Sequence, residues 1–243
     1  MSEFATTSAG DRVAYDRRGN GPGLVFIAGA GTEIGKTYVT AALTRRLRAL
    51  GRPVRTLKPL ASGVPPLGDP GFAESDTARL LDAQGITLDA EAVEDCSPWR
   101  FSAPLSPDQA AALEGRSLDL ADLVGWCRAQ IAGTREGTLL IEGVGGLMSP
   151  VTETATGLDW LRALGVPAVL VSGSYLGAIS HALTACETLR LHAVPLLAVA
   201  VSESEGAPAP ASTVAGAIAR HAGAPVFCLR RGQPCPDSLA DLI

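Results

Sequence analysis

The stretch LVFIAGAGTEIGKT, from Leu24 to Thr37, constrains the fold most. An apolar run suited to a buried strand enters a glycine-rich loop, which ends on Gly35-Lys36-Thr37 at the start of a segment with helical spacing. A strand feeding a helix through such a loop aims several backbone N–H groups at one point, and the helix dipole adds partial positive charge there. Gly29, Gly31 and Gly35 permit the tight path and close approach, Lys36 supplies charge, and the Thr37 hydroxyl is placed to ligate Mg²⁺. The spacing is unusual. The common phosphate loop has glycine six residues before its lysine; here Ala30 holds that place and the glycine comes one residue earlier, at Gly29.

The same alternation continues along the chain. Short Val/Ile/Leu runs at Leu24–Ala28, Val54–Leu57, Thr138–Ile141, Ala168–Val171, Leu196–Val201 and Val226–Cys228 read as strands. Between them Lys36–Leu50, Ser117–Gln130, Gly177–Leu191 and Ala211–His221 read as helices. Parallel strands joined by crossover helices make the expected class α/β, a doubly wound, mostly parallel sheet, and 243 residues suit one domain. Val64–Gly71, Glu205–Pro210 and Gly232–Pro236 read as loops. Residues 1–22 form an extension, either an edge hairpin or a loose arm. Their sequence looks like the opening of α/β-hydrolases, but no serine carries the flanking glycines of a nucleophile elbow.

Three further stretches carry chemistry. In TLKPLASG, Lys58 and Ser62 follow a strand whose end lies beside the loop in a parallel sheet, although Lys-Pro also serves as an ordinary exit turn. In TLLIEGVGG, Glu142 ends a wholly apolar strand, where a carboxylate needs a cation or donor; Mg²⁺ suits it, and the glycines after it leave room for a substrate. Asp76, at a helix start in ESDTARL, is either a second Mg²⁺ carboxylate or a helix-end acid or cap. In SGSYLGAISHA, the amides of Gly177, Ala178 and Ser180 form a second possible anion site suited to a carboxylate. His181 is there either a base or a packed, hydrogen-bonded core residue.

Composition narrows the partners. A net charge of −5 gives no long-range attraction to nucleic acid or anionic lipid, so small molecules are expected. No apolar run approaches the length of a membrane span and no signal peptide is evident, which points to the cytoplasm. Five scattered cysteines without a CxxC pair suggest neither a disulfide framework nor a zinc site.

Together these stretches resemble dethiobiotin synthetase. That family's longer loop, G-T-D-T-x-V-G-K-T, appears as GAGTEIGKT. Its K-P-V-A-S-G appears as KPLASG, its S-D as Ser75-Asp76, its E-G-A-G-G as EGVGG and its L-G-x-x-N-H-A as LGAISHA, in family order. The resemblance implies a P-loop enzyme that uses ATP to close 7,8-diaminononanoate and CO2 (or bicarbonate) into a cyclic urea, through a carbamate and its mixed anhydride with phosphate. It implies Lys36, Lys58, Thr32 and Ser62 as catalytic residues, and Thr37, Asp76 and Glu142 as Mg²⁺ ligands. Nucleotide contacts are implied at Gly31, Glu33, Ile34, Gly35, Lys36, Thr37 and Tyr38, with Ser202 at the base. Substrate contacts are implied at Ser62, Gly143, Gly145, Gly177, Ala178 and Ser180, the last three across the interface of a homodimer with a shared site.

The chain departs from the family at Tyr175, where lysine is common, and at Ser180 and Ser202, where asparagine is. Those departures put substrate affinity and base preference in question. A partitioning ATPase would carry lysine at Gly31, and an amidoligase would need a glutaminase domain for which the tail has no room. A nucleotide-binding regulatory module, with GKT kept and the substrate side drifted, remains as the alternative.

Overall fold

The computed structural model describes residues 3–6, 12–15 and 23–243. In chain order, β1 (Glu3–Thr6) and β2 (Arg12–Tyr15) pair antiparallel, in a sheet separate from the main one; the rest of the N-terminal extension lies outside the described residues. The domain proper runs β3 (Gly23–Gly29), α1 (Lys36–Ala49), β4 (Val54–Leu57), β5 (Leu60–Ser62), α2 (Asp76–Gln84), α3 (Ala90–Cys96), β6 (Trp99–Phe101), α4 (Pro107–Leu113) and α5 (Leu120–Gly133). It continues β7 (Thr138–Glu142), α6 (Gly157–Leu164), β8 (Ala168–Ser172), α7 (Ala178–Leu191), β9 (Leu196–Ser202), α8 (Ala211–Ala219), β10 (Val226–Leu229) and α9 (Asp237–Ala240).

Six strands form one parallel sheet in the order β10-β9-β8-β3-β7-β4. Strand side chains alternate between faces, so Val25 and Ile27 pack with Val39, Leu43 and Leu47 of α1, while Phe26 and Ala28 join the opposite core. Both faces are covered, which is why these strands read as unbroken apolar runs. In the second core the Phe26 and Trp160 rings meet edge to face, centroids 5.0 Å apart. Among the described residues no helix is long and apolar enough to cross a membrane.

Topology brings the chemistry together. Because β7 lies between β3 and β4, the loop after β3, Glu142 at the end of β7 and Lys58 just past β4 share one crevice. Register makes this exact in sequence terms: Ile27 pairs with Glu142 and Leu57 with Ile141. Ala30 N–H donates to the Val171 carbonyl and Leu147 N–H to that of Gly29, at 2.8 and 2.7 Å, which ties the loop to its neighbours.

All six expected strands and four expected helices are present, Val54–Leu57 with the expected ends and the others with shifted ones. The helix expected from Ser117 starts at Leu120, because the Asp119 side chain accepts from Ala121 N–H and caps it there. That expected from Gly177 starts one residue later, with Gly177 as its cap, and the one expected to reach His221 ends at Ala219. The helices α3, α4, α6 and α9 and the paired strands β5 and β6 carry too few residues for periodicity to stand out. At the sheet edge the Gln84 side chain takes the place of a further strand. It accepts from Thr56 N–H and donates to the Thr56 carbonyl, at 2.8 and 3.0 Å.

Candidate active site

Gly35 caps α1 in the left-handed conformation (φ 92°), and α1 carries no acid in its first turn, so its amides face the crevice without a competing carboxylate. Lys36 folds back so that Nζ donates to the Gly31 carbonyl at 3.0 Å. Glu33, exposed, sits at φ 55°, a conformation uncommon for a residue with a Cβ and one that concentrates at functional loops.

Lys58 is the centre of the site. Its side chain is 2% exposed, and Nζ donates to Glu142 Oε1 at 2.7 Å and to the Gly143 carbonyl at 2.8 Å, with Asp76 Oδ2 3.2 Å away. Burial alone would lower its pKa, but Glu142 and Asp76 outweigh that and hold the ammonium charged, above the usual lysine range. Asp76 shows the converse. Burial would raise its carboxyl, yet the Lys58 charge keeps it below the usual carboxylate range. Thr37 Oγ1 donates to Glu142 Oε1 at 2.7 Å, while Glu142 Oε2 is buried with no hydrogen-bond partner. The surrounding cleft, of about 580 Å³, is also lined by Thr32, Glu33, Ser62, Gly145 and Arg231.

A family model described as an AAA domain matches residues 24–229. The ATP-dependent dethiobiotin synthetase BioD of Methylobacterium nodulans is 66% identical over 220 residues, 90% of this chain and 98% of that one. The enzyme of the same name from Acidiphilium cryptum is 47% identical over 206 residues, 83% and 91% of the two chains. This chain belongs to the dethiobiotin synthetase family. Two solved structures share the fold: the signal recognition particle receptor FtsY from Elizabethkingia anophelis with GDP (TM-score 0.50, 16% identity, 87% of this chain and 57% of that one), and the MinC:MinD cell division complex of Aquifex aeolicus (TM-score 0.50, 13% identity, 90% and 84%).

Lys36, Thr37, Lys58, Asp76 and Glu142, scattered in sequence, converge as the motifs predict. Several other residues sit differently. The cap of α2 is Ser75, whose Oγ accepts from Ala78 N–H, which leaves the Asp76 carboxylate to the crevice. A Cβ on Gly143 would stand 2.8 Å from the Phe26 ring, and its carbonyl is taken by Lys58, so the core beside it requires glycine there. Ile34 is buried in the core under the loop, which leaves only its backbone for a ligand. Ala178 N–H already donates to the Tyr175 carbonyl, so of the three amides expected at that helix start this one is spent. His181 is exposed rather than packed in the core, with Nδ1 2.8 Å from Tyr175 Oη. Ser202 is fully buried beneath Gly35, its hydroxyl without a partner, and does not face a base. Tyr38 Oη donates to the Arg230 carbonyl at 2.7 Å, and the guanidinium of Arg231 lies over its ring. Arg231 is not evident from sequence, for a lone arginine after a last strand carries no motif.

Lys36 gives a pH test. Burial first, and the Lys58 charge second, lower its pKa from 10.5 to about 8. An unfolded lysine holds its proton longer, so the unfolded state binds more protons between pH 8 and 10.5 and stability rises with pH across that window. Below it the folded protein carries the whole cost of the buried charge, on the order of 3 kcal/mol. Lys36→Met is therefore expected to melt above the wild type at pH 7, with the gap closing toward pH 10. A gap that does not change with pH would contradict a desolvated ammonium.

Proposed function

We propose that the protein uses ATP to close 7,8-diaminononanoate and CO2 into dethiobiotin, with release of ADP and phosphate. The observation that carries this beyond a bare ATPase is Lys58, a second buried cation held beside Glu142 in the cleft of the phosphate loop. One substrate amine captures CO2 as a carbamate, a carbamate oxygen attacks the γ-phosphorus of ATP, and the second amine then displaces phosphate at the carbonyl carbon. Negative charge gathers on the carbamate and the moving phosphoryl group, so preorganised cations are the main catalytic need. Lys36 and the loop amides hold the phosphates. Lys58, kept charged by its carboxylates, meets the carbamate, with the Thr32 and Ser62 hydroxyls lining the same cleft.

Thr37, Asp76 and Glu142 would hold Mg²⁺. The fit is chemical: Glu142 Oε2 is buried and unpartnered, and all three offer hard oxygen donors. No cluster of three or more His, Cys, Asp or Glu suited to a metal exists among the described residues, so phosphate oxygens would complete such a set. Held by these residues, Mg²⁺ would supply charge neutralisation at the transferring phosphoryl. The cytoplasm is the compartment that suits five free thiols.

A single-turnover assay with diaminononanoate, bicarbonate and MgATP should yield dethiobiotin and phosphate together. Lys58→Ala should lose about 10²-fold or more, and Glu142→Gln should raise the Mg²⁺ concentration for half-activity, because a neutral oxygen is a poorer ligand for a hard dication. ATP binding with no product would overturn the reading in favour of a regulatory module.

We further propose a homodimer in which the start of α7 reaches the partner's site and binds the substrate carboxylate. Leu176 is 88% exposed beside Gly177, and Ile179 is exposed next to it, an apolar edge that suits burial against a second copy. Mixing inactive Lys36→Ala with Gly177→Glu should then recover part of the activity, since one mixed site has both good halves. A monomer in light scattering, or no recovery after subunit exchange, would contradict a shared site.

A further inference from the structure

Beyond the motifs, one cationic side chain is built into the lip of the loop. Arg231, two residues past the end of β10, lines both the phosphate cleft and a second hollow of about 740 Å³ formed by the Glu203 to Pro210 segment; among the described residues no other lines both. Three contacts hold it. Its guanidinium carbon lies 4.5 Å from the Tyr38 ring centroid, its backbone N–H donates to Glu203 Oε2 at 2.9 Å, and its Nε donates to the Glu203 carbonyl at 3.1 Å. Tyr38 is itself fixed through Arg230.

A long exposed side chain ordinarily wanders. This one is stacked on one face and tied along one edge, so little rotamer freedom is left to lose on binding a ligand. The other edge is free: among the described residues Nη1 and Nη2 have no hydrogen-bond partner. Nη2 stands 3.7 Å from the place a Cβ would take on Gly35, the cap of α1, on the rim where the loop amides end.

We propose that Arg231 is an affinity determinant for the nucleotide, its free Nη edge donating to phosphate oxygens of ATP at the outer rim of the loop. It does so from the rim of the second hollow, while Lys36 acts from within the loop. Glu203 and Tyr38 are its positioning residues. The inference rests on the reading that this loop holds ATP. It adds an anchor outside the loop, on the far side of Ser202.

The test is calorimetric. ADP binding is measured for the wild type, Arg231→Gln and Arg231→Lys at low and high salt, with steady-state constants for ATP alongside. Arg231→Gln should weaken ADP about tenfold or more, as loss of a charge-assisted hydrogen bond does, and raise KM for ATP by a similar factor while kcat changes little. Arg231→Lys should recover only part, for it keeps the charge without the planar stack or the Nε bond. The gap between wild type and Arg231→Gln should narrow as salt rises, because an exposed charge is screened. ADP affinity unchanged within about twofold in Arg231→Gln would overturn the proposal, and so would a gap insensitive to salt, which marks a merely bracing role. Failure of the wild type to bind ADP would overturn the reading of the loop as well.

Discussion

The site depends on one buried ion pair. Lys58 and Glu142 sit at the ends of adjacent strands, each almost wholly out of water. Desolvating both costs several kcal/mol per ion, which their attraction offsets only with good geometry and further partners. Those partners are present. Lys58 has the Gly143 carbonyl and Asp76, Glu142 Oε1 has Thr37, and Glu142 Oε2 is left buried without a partner. A core of leucines would be easier to fold there. The charge is kept where the proposed chemistry needs it, at the open end of an otherwise apolar sheet.

The sheet order converts sequence distance into contact. Thr37 and Glu142 are 105 positions apart and Lys58 and Glu142 are 84 apart, yet each pair meets at 2.7 Å because β7 is inserted between β3 and β4. The phosphate loop supplies the other half. Its amides and Lys36 make an anion site, and the lowered pKa of Lys36 shows what that site costs before a phosphate arrives to restore the balance. Arg231, braced from the far edge by Tyr38 and Glu203, extends the same electrostatic field outward along the proposed path of the nucleotide.

How far the sequence could be read follows from the physics of each feature. The six strands were legible because both faces of the sheet are covered, so each is an apolar run between turn residues. Glu142 was legible because a charge at the end of such a run needs a partner, Lys36 and Thr37 because they close a glycine-rich loop at a helix start, and Lys58 because its strand ends beside that loop. What depends on neighbours was not legible. The burial of Ser202 under Gly35 follows from a close contact between β9 and the loop, and Gly143 is a glycine because Phe26 stands beside it. The amide of Ala178 is consumed by a local turn, and His181 faces outward although its helix is apolar. Arg231 required a fold to be seen at all, since its partners Tyr38 and Glu203 lie far from it in sequence.

The most direct measurement is a double-mutant cycle on Lys58 and Glu142, by urea unfolding of Lys58→Met, Glu142→Gln and the double variant. Each single change strands one partner in an apolar site and should destabilise the protein by about 3–5 kcal/mol. The double variant, with both charges gone, should regain most of that stability while turnover stays lost. Additive losses in stability, with the double variant the weakest of the three, would contradict a buried, mutually dependent pair at the heart of the site.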